Sequence, residues 1–213
     1  MKKMFSGWVT AVLRVSVIAT LVLPVGCGKK EEAQTPVVDE RAINEYSHEN
    51  VFEETYRKVQ ANPKNVDDLY HLADLYDRQG RYQQAVDTFR KVIELDPDLG
   101  YAYFKMGTAY SRMNQPEKAI EVLRQAAEIM PNNPVVLNNL GIAYGKIDRL
   151  DEEIAAFKKA LEIRPRYSSA RLNLALVYLK QGDRQHAQEQ YEALKEFDVT
   201  MAARLLQRIE AGN

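Results

Sequence analysis

The 213-residue sequence predicts an all-α fold. The expected architecture is an α-solenoid of about four helix-turn-helix repeats, with a partial helical unit before them and one capping helix behind. Three observations carry this reading. Prolines stand at 63, 97, 131 and 165, each 34 residues after the last. Tyr76, Tyr110, Tyr144 and Tyr178 keep the same step. So do Leu72, Met106, Leu140 and Leu174, and the small residues Ala73, Gly107, Gly141 and Ala175. Independent columns sharing one period mark a repeated supersecondary unit. No such unit buries its apolar face alone, so neighbours must stack.

Residues 1–26 stand apart from the array. Lys2, Lys3 and Arg14 lead into VSVIATLVLPV (15–25). That apolar run is too short to span about 30 Å of hydrocarbon as a helix. A basic start, a short apolar stretch and a small residue describe a secretory signal peptide. The segment closes on Pro24-Val25-Gly26-Cys27, which resembles the lipobox of bacterial lipoproteins. Gly26 and Cys27 fit that pattern; Pro24 stands where leucine is usual. The resemblance implies that Cys27, the one cysteine of the chain, becomes the first mature residue and carries a covalent lipid. Several acyl chains, each adding about 0.8 kcal/mol per buried methylene, would hold the protein on a membrane. The alternatives are an ordinary signal peptide with a stray cysteine, or an uncleaved anchor. After Cys27, GKKEEAQTPVVDE (28–40) is charged and lacks apolar periodicity, so 27–40 reads as a flexible tether.

The helical part follows. TYRKVQANP (55–63) echoes TFRKVIELDP (88–97), so 41–65 reads as an incomplete unit. Full repeats occupy 66–99, 100–133, 134–167 and 168–199. In the third, helix A is expected near 134–147 and helix B near 150–163. Leu137, Leu140, Ile142 and Tyr144 supply the apolar positions of that helix A. Gly107 and Gly141 let the paired helix approach closely. Gly80, Asn114, Asp148 and Gly182 mark the turns, being residue types that tolerate a left-handed backbone. The recurrent proline ends helix B because it cannot continue the hydrogen-bond ladder. In TMAARLLQRIEAGN (200–213), Met201, Leu205 and Ile209 lie at i, i+4 and i+8, giving one amphipathic cap.

The blocks 69–97, 103–131, 137–165 and 171–199 resemble the tetratricopeptide repeat: a large residue, Leu, a small residue, Tyr, then Ala, an aromatic, a small residue and Pro. The departures are few. Glu153 stands where the other repeats have Ala85, Ala119 and Ala187. Arg171 takes the large-residue position of the fourth repeat, and Val199 replaces its proline. The resemblance implies a right-handed superhelix whose concave face is made by the A helices. Carried over position by position, it places Tyr70, Asp74, Tyr101, Phe104, Lys105 and Arg112 in the N-terminal half of that groove. Asn138, Asn139, Ile142, Lys146, Leu172, Asn173, Leu176 and Lys180 fall in the C-terminal half. One end, with Asp67, Asp74 and Asp77, is expected to be acidic; the rest is more apolar. Arg78, Arg112, Lys146 and Lys180 form a basic column. Asn139 and Asn173 are each suited to holding a peptide amide, since each carries a donor and an acceptor.

Other function classes find little support. Net charge is −1 with both signs interspersed, unlike the concentrated basic patch of a nucleic-acid binder. No phosphate loop, Gly-x-Ser-x-Gly or His-Glu-x-x-His occurs. His71 and Asp74, three apart on a helix, lack a third ligand. The expectation is therefore a non-enzyme without cofactor other than the lipid on Cys27. It would be a periplasm-facing adaptor of a bacterial envelope, holding a protein or peptide partner in its groove. Gly28 rather than Asp after the cysteine favours the outer over the inner membrane. Secretin or pilus assembly, outer-membrane biogenesis and polysaccharide export are systems that use such lipoproteins. A second reading is a structural protein that associates with itself as a homo-oligomer.

Overall fold

The computed structural model describes residues 40–211, in which ten α-helices and no strands occur. The expected signal peptide and tether, including Cys27, lie outside the described residues, save for Glu40. The helices are α1 (Glu40–Ala61), α2 (Val66–Arg78), α3 (Tyr82–Leu95), α4 (Gly100–Arg112) and α5 (Pro116–Ile129). They continue as α6 (Pro134–Gly145), α7 (Leu150–Ile163), α8 (Ser168–Lys180), α9 (Arg184–Lys195) and α10 (Val199–Ala211). The chain is a tetratricopeptide-type solenoid in which α2, α4, α6 and α8 are A helices and α3, α5, α7 and α9 are B helices.

Local chemistry sets the helix ends. The Asn65 side chain accepts from the Asp68 amide, and the Asn133 side chain from the Val135 and Val136 amides. Each cap satisfies donors that the first helical turn leaves free. Pro97, Pro131 and Pro165 each lie two residues past the end of a B helix. Every A–B turn contains one left-handed residue: Gly80 (φ 74°), Asn114 (φ 55°), Asp148 (φ 56°) and Gly182 (φ 78°). In the third repeat this turn tightens early. The Ile147 amide donates three residues back, to the Tyr144 carbonyl, and α6 stops at Gly145, short of the expected 147.

Packing inside each repeat depends on the small-residue column. A Cβ on Gly107 would lie 2.6 Å from Leu123 Cγ, and one on Gly141 would lie 2.6 Å from a ring carbon of Phe157. The glycines therefore set how closely α4 meets α5 and α6 meets α7. Phe89 and Phe157 are sealed in the core, a burial that stabilises by roughly 1.5–3 kcal/mol per side chain. The tyrosine column is buried too, and cations lie over three of its rings. Lys118 sits 5.6 Å from the Tyr110 ring, Arg149 4.9 Å from Tyr144 and Lys158 5.9 Å from Tyr178.

Stacking between repeats is asymmetric. Each A helix touches the next A helix, whereas no two B helices touch. Elements crowded on one side and spread on the other curve the array, so the A helices form its inner face. After the last repeat, α10 packs on both α8 and α9, as a further A helix would. It begins at Val199, because Asp198 caps it by accepting from the Met201 amide. The missing proline thus lets the chain turn directly into its cap. Arg171, at the large-residue position, donates to the Pro165 carbonyl and to Gln190 and lies over Phe197. Its stem and planar head fill the place that Leu69, Tyr103 and Leu137 take in the other repeats.

The apolar core falls into two main clusters. One runs from Val59 to Tyr144; the other begins at Phe157 and ends at Leu205. Among the described residues no helix is long and apolar enough to cross a membrane.

Gly141→Leu should force α6 and α7 apart and cost roughly 1–3 kcal/mol by overpacking. Thermal unfolding followed by circular dichroism should show a clear drop in Tm; an unchanged Tm would contradict the close approach.

Candidate binding groove

The A helices bring the expected groove residues onto one face, where they sort into polar ties and outward apolar side chains. The ties lie mostly at the N-terminal end. Asp74 on α2 meets Lys105 Nζ of α4 at 2.6 Å through one oxygen and Arg78 Nε at 2.6 Å through the other. Burial works to raise the Asp74 carboxyl, but Lys105 and Arg78 together outweigh it and hold it below its ordinary value. Asp77, only 5% exposed, receives Arg112 at 2.5 Å, and the same guanidinium lies 5.6 Å from the Tyr82 ring.

These pairs correct the expectation of an acidic end. Asp74 and Asp77 are buried counter-charges, each spanning from one repeat to the next. The basic column is largely consumed in the same way: Arg78 and Arg112 as above, and Lys180 on Asp148. Lys146 stays exposed, with no ion pair among the described residues. His71 and Asp74 do not act together, since both Asp74 oxygens are taken and His71 sits edge-on to Tyr70, with ring centres 6.3 Å apart. Among the described residues no group of three or more His, Cys, Asp or Glu could hold a metal ion.

The asparagines divide similarly. Asn138 is buried rather than on the groove surface, and its side-chain oxygen accepts from Asn173 Nδ2 at 3.0 Å. That bond ties α6 to α8. Asn139 spends an amide hydrogen on the Val135 carbonyl of its own helix, at 2.8 Å. Each therefore has one donor committed internally, leaving the Asn139 and Asn173 oxygens without a donor among the described residues.

The apolar members point outward. Tyr101 is 53% exposed, Ile142 38% and Leu176 37%. Phe104 and Leu172 are half-buried, each resting against its cluster of the core. Tyr70 is half-buried edge-on to Phe89, and burial raises its hydroxyl pKa. Two hollows lie along this face. One, of about 340 Å³, lies between Tyr101, Phe104 and Val135. The other, of about 290 Å³, includes Ile142, Leu176 and the buried carboxyl of Glu153. Sequence reasoning noted Glu153 only as a departure in a column of alanines and gave it no place in the groove. The ties were missed for a different reason: their partners lie 31 to 35 residues apart. Searching for complementary residues near that spacing would have found them.

Arg112→Ala should leave Asp77 buried without a counter-charge and cost roughly 1–3 kcal/mol. The double variant with Asp77→Ala should lose less than the two single losses summed. Urea denaturation measures both; strict additivity would show that the pair is not coupled.

Comparison with known proteins bears on this face. Four tetratricopeptide-repeat family profiles match residues 49–99, 78–138, 135–167 and 156–190, tiling the array without a gap. No curated protein matches the chain by sequence. Among solved structures, it is similar to the crystal structure of MamA at 21% identity, with a TM-score of 0.67 over 79% of this chain and 94% of that one. It is also similar to YrrB, described as a TPR protein with an unusual peptide-binding site, at 21% identity and a TM-score of 0.65, over 78% and 86% of the two chains. A third is the first TPR of Spaghetti (RPAP3) bound to the HSP90 peptide SRMEEVD, at 20% identity and a TM-score of 0.54, over 55% and 93%. At these identities the likeness is one of fold. The matched repeats, the A–B pairing and the stacked A helices lead to one conclusion: the chain belongs to the tetratricopeptide-repeat family of protein-interaction scaffolds.

Proposed function

We propose that the protein is a lipid-anchored adaptor of a bacterial envelope that holds a partner protein or peptide in its concave groove. The observation that carries the groove is the set of large apolar side chains turned outward there. Ile142 and Leu176 hold equivalent positions in adjacent repeats, and both stay exposed on the inner face. Tyr101 extends the same surface into the second repeat. Apolar anchors at repeat spacing, flanked by asparagine oxygens, suit a segment lying along several repeats. Two of the similar structures are described with peptide binding, which supports the same use of this fold. The scaffold reading also suits a face whose charges are mostly engaged in holding repeats together.

The anchor rests on the sequence. A basic start, an apolar run and Gly26-Cys27 precede a charged stretch that would set the solenoid away from the lipid. Gly28 after the cysteine supports delivery to the outer membrane, facing the periplasm. Secretin or pilus assembly, outer-membrane biogenesis and polysaccharide export are the kinds of assembly such an adaptor would serve.

A photo-cross-linking side chain at Tyr101 or Leu176 should capture a discrete partner in native cells, whereas one at Lys159 on α7 should not. Phe104→Ala combined with Ile142→Ser should abolish the capture at Leu176 while the chain stays folded. Equal capture from both faces would sink the groove. Separately, Cys27→Ala should release the protein from membranes and remove the lipid mass seen by mass spectrometry. A variant still membrane-bound and unchanged in mass would overturn the anchor.

A further inference from the structure

The third repeat departs from the others at two positions that touch. Glu153 on α7 stands where its equivalents are alanine, and it is 9% exposed. Gly145 on α6 stands where the other repeats carry Asp77, Ser111 and Leu179. A Cβ on Gly145 would lie 2.3 Å from Glu153 Oε1. The carboxyl therefore lies against bare backbone, and a side chain at 145 would displace it.

This carboxyl faces the hollow of about 290 Å³ between the third and fourth repeats. Ile142, Leu176 and Val177 give the hollow apolar walls. No hydrogen bond or ion pair reaches the Glu153 carboxyl among the described residues. Lys180, which also lines the hollow, is bound to Asp148 instead. Asn173 donates to Asn138 and leaves its own oxygen unmet. Burial pushes the Glu153 carboxyl up; Lys180 draws it down and Asp148 adds to the rise. A largely buried acid whose oxygens open on the hollow without a hydrogen-bond partner, beside a second open acceptor, can receive donors. Lys146 and Lys180 both line the hollow, but the charge of Lys180 is matched by Asp148, and Lys146 is exposed and bonds to no carboxylate among the described residues.

We propose that this hollow receives one arginine side chain from the segment held in the groove, with its guanidinium on Glu153 and the Asn173 oxygen. This rests on the groove reading above. Arginine fits on three grounds. Its planar head offers five donors and no acceptor, and matches a carboxylate two-to-two. Its methylenes would lie on Ile142, Leu176 and Val177. It also brings a positive charge into hydrogen-bond contact with the carboxylate, which neither Lys146 nor Lys180 makes among the described residues.

The test titrates the full chain with N-acetyl-argininamide and, in parallel, with the uncharged isostere N-acetyl-citrullinamide. The methyl resonances of Ile142, Leu176 and Val177 report binding. Saturable shifts with the arginine probe are expected, with the citrulline probe at least about tenfold weaker. Glu153→Gln should weaken the arginine probe by about tenfold or more and leave the citrulline probe unchanged. Glu153→Gln removes a buried charge and keeps the shape of the side chain, so the fold should persist; the methyl spectrum checks this directly. Equal binding of the two probes, undiminished binding to Glu153→Gln, or no saturable shift in the millimolar range would each overturn the proposal. Groove cross-linking from Tyr101 does not depend on Glu153. A failed titration with that cross-link intact sinks the arginine pocket alone, and a lost cross-link with the titration intact sinks the groove reading alone.

Discussion

The close approach of the two helices within each repeat is the constraint on which the rest depends. Gly107 lies under Leu123 and Gly141 under Phe157, with no room for even a methyl group. That distance fixes where the tyrosine column and the left-handed turn must lie. It also fixes the offset at which the next repeat docks. A solenoid repeats whatever its unit does, so a change in the A–B distance would be copied into curvature. The curvature in turn brings successive A helices into contact and makes a concave face at all.

A second layer of order runs across the repeats. Asp74 to Lys105, Asp77 to Arg112, Asn138 to Asn173 and Asp148 to Lys180 each connect one repeat with its neighbour. The exposed Asp148–Lys180 pair contributes modestly to stability, and the pairs on the buried Asp74 and Asp77 carboxylates more. Their geometry does more, because each one fixes the register of an A helix against the next. The groove is consequently less charged than its composition suggests. Its outward character comes from Tyr101, Ile142 and Leu176.

The fold was legible because it is written four times. Proline, tyrosine and small-residue columns each report a local backbone or packing requirement, and together they give the helices and the turns. Helix ends were less legible: the turn through Tyr144 closed α6 early, and Asp198 set the start of α10. The groove was legible in outline and misread in detail. Along one helix, Asp74 and Arg112 look like solvated charges, since their partners lie a repeat away in sequence. Asn138 looks like a surface residue until Asn173 is placed above it. Glu153 broke the alanine column visibly, but its meaning needed Gly145, whose small size is an unremarkable choice until the carboxyl is seen against it.

The two main apolar clusters meet at the third repeat, where Leu140 and Tyr144 of α6 belong to the first and Phe157 of α7 to the second, while Leu137, Ala160 and Ala170 join α6, α7 and α8 in a smaller third. Glu153 stands at that seam. The joint between them holds both the Gly141–Phe157 contact and a carboxyl lying over Gly145. In an array whose stability is a sum of unit and neighbour terms, the weakest neighbour term decides where cooperative unfolding divides. A segment lying across Ile142 and Leu176 would bridge the third and fourth repeats, so occupancy of the groove would add to the neighbour term between them.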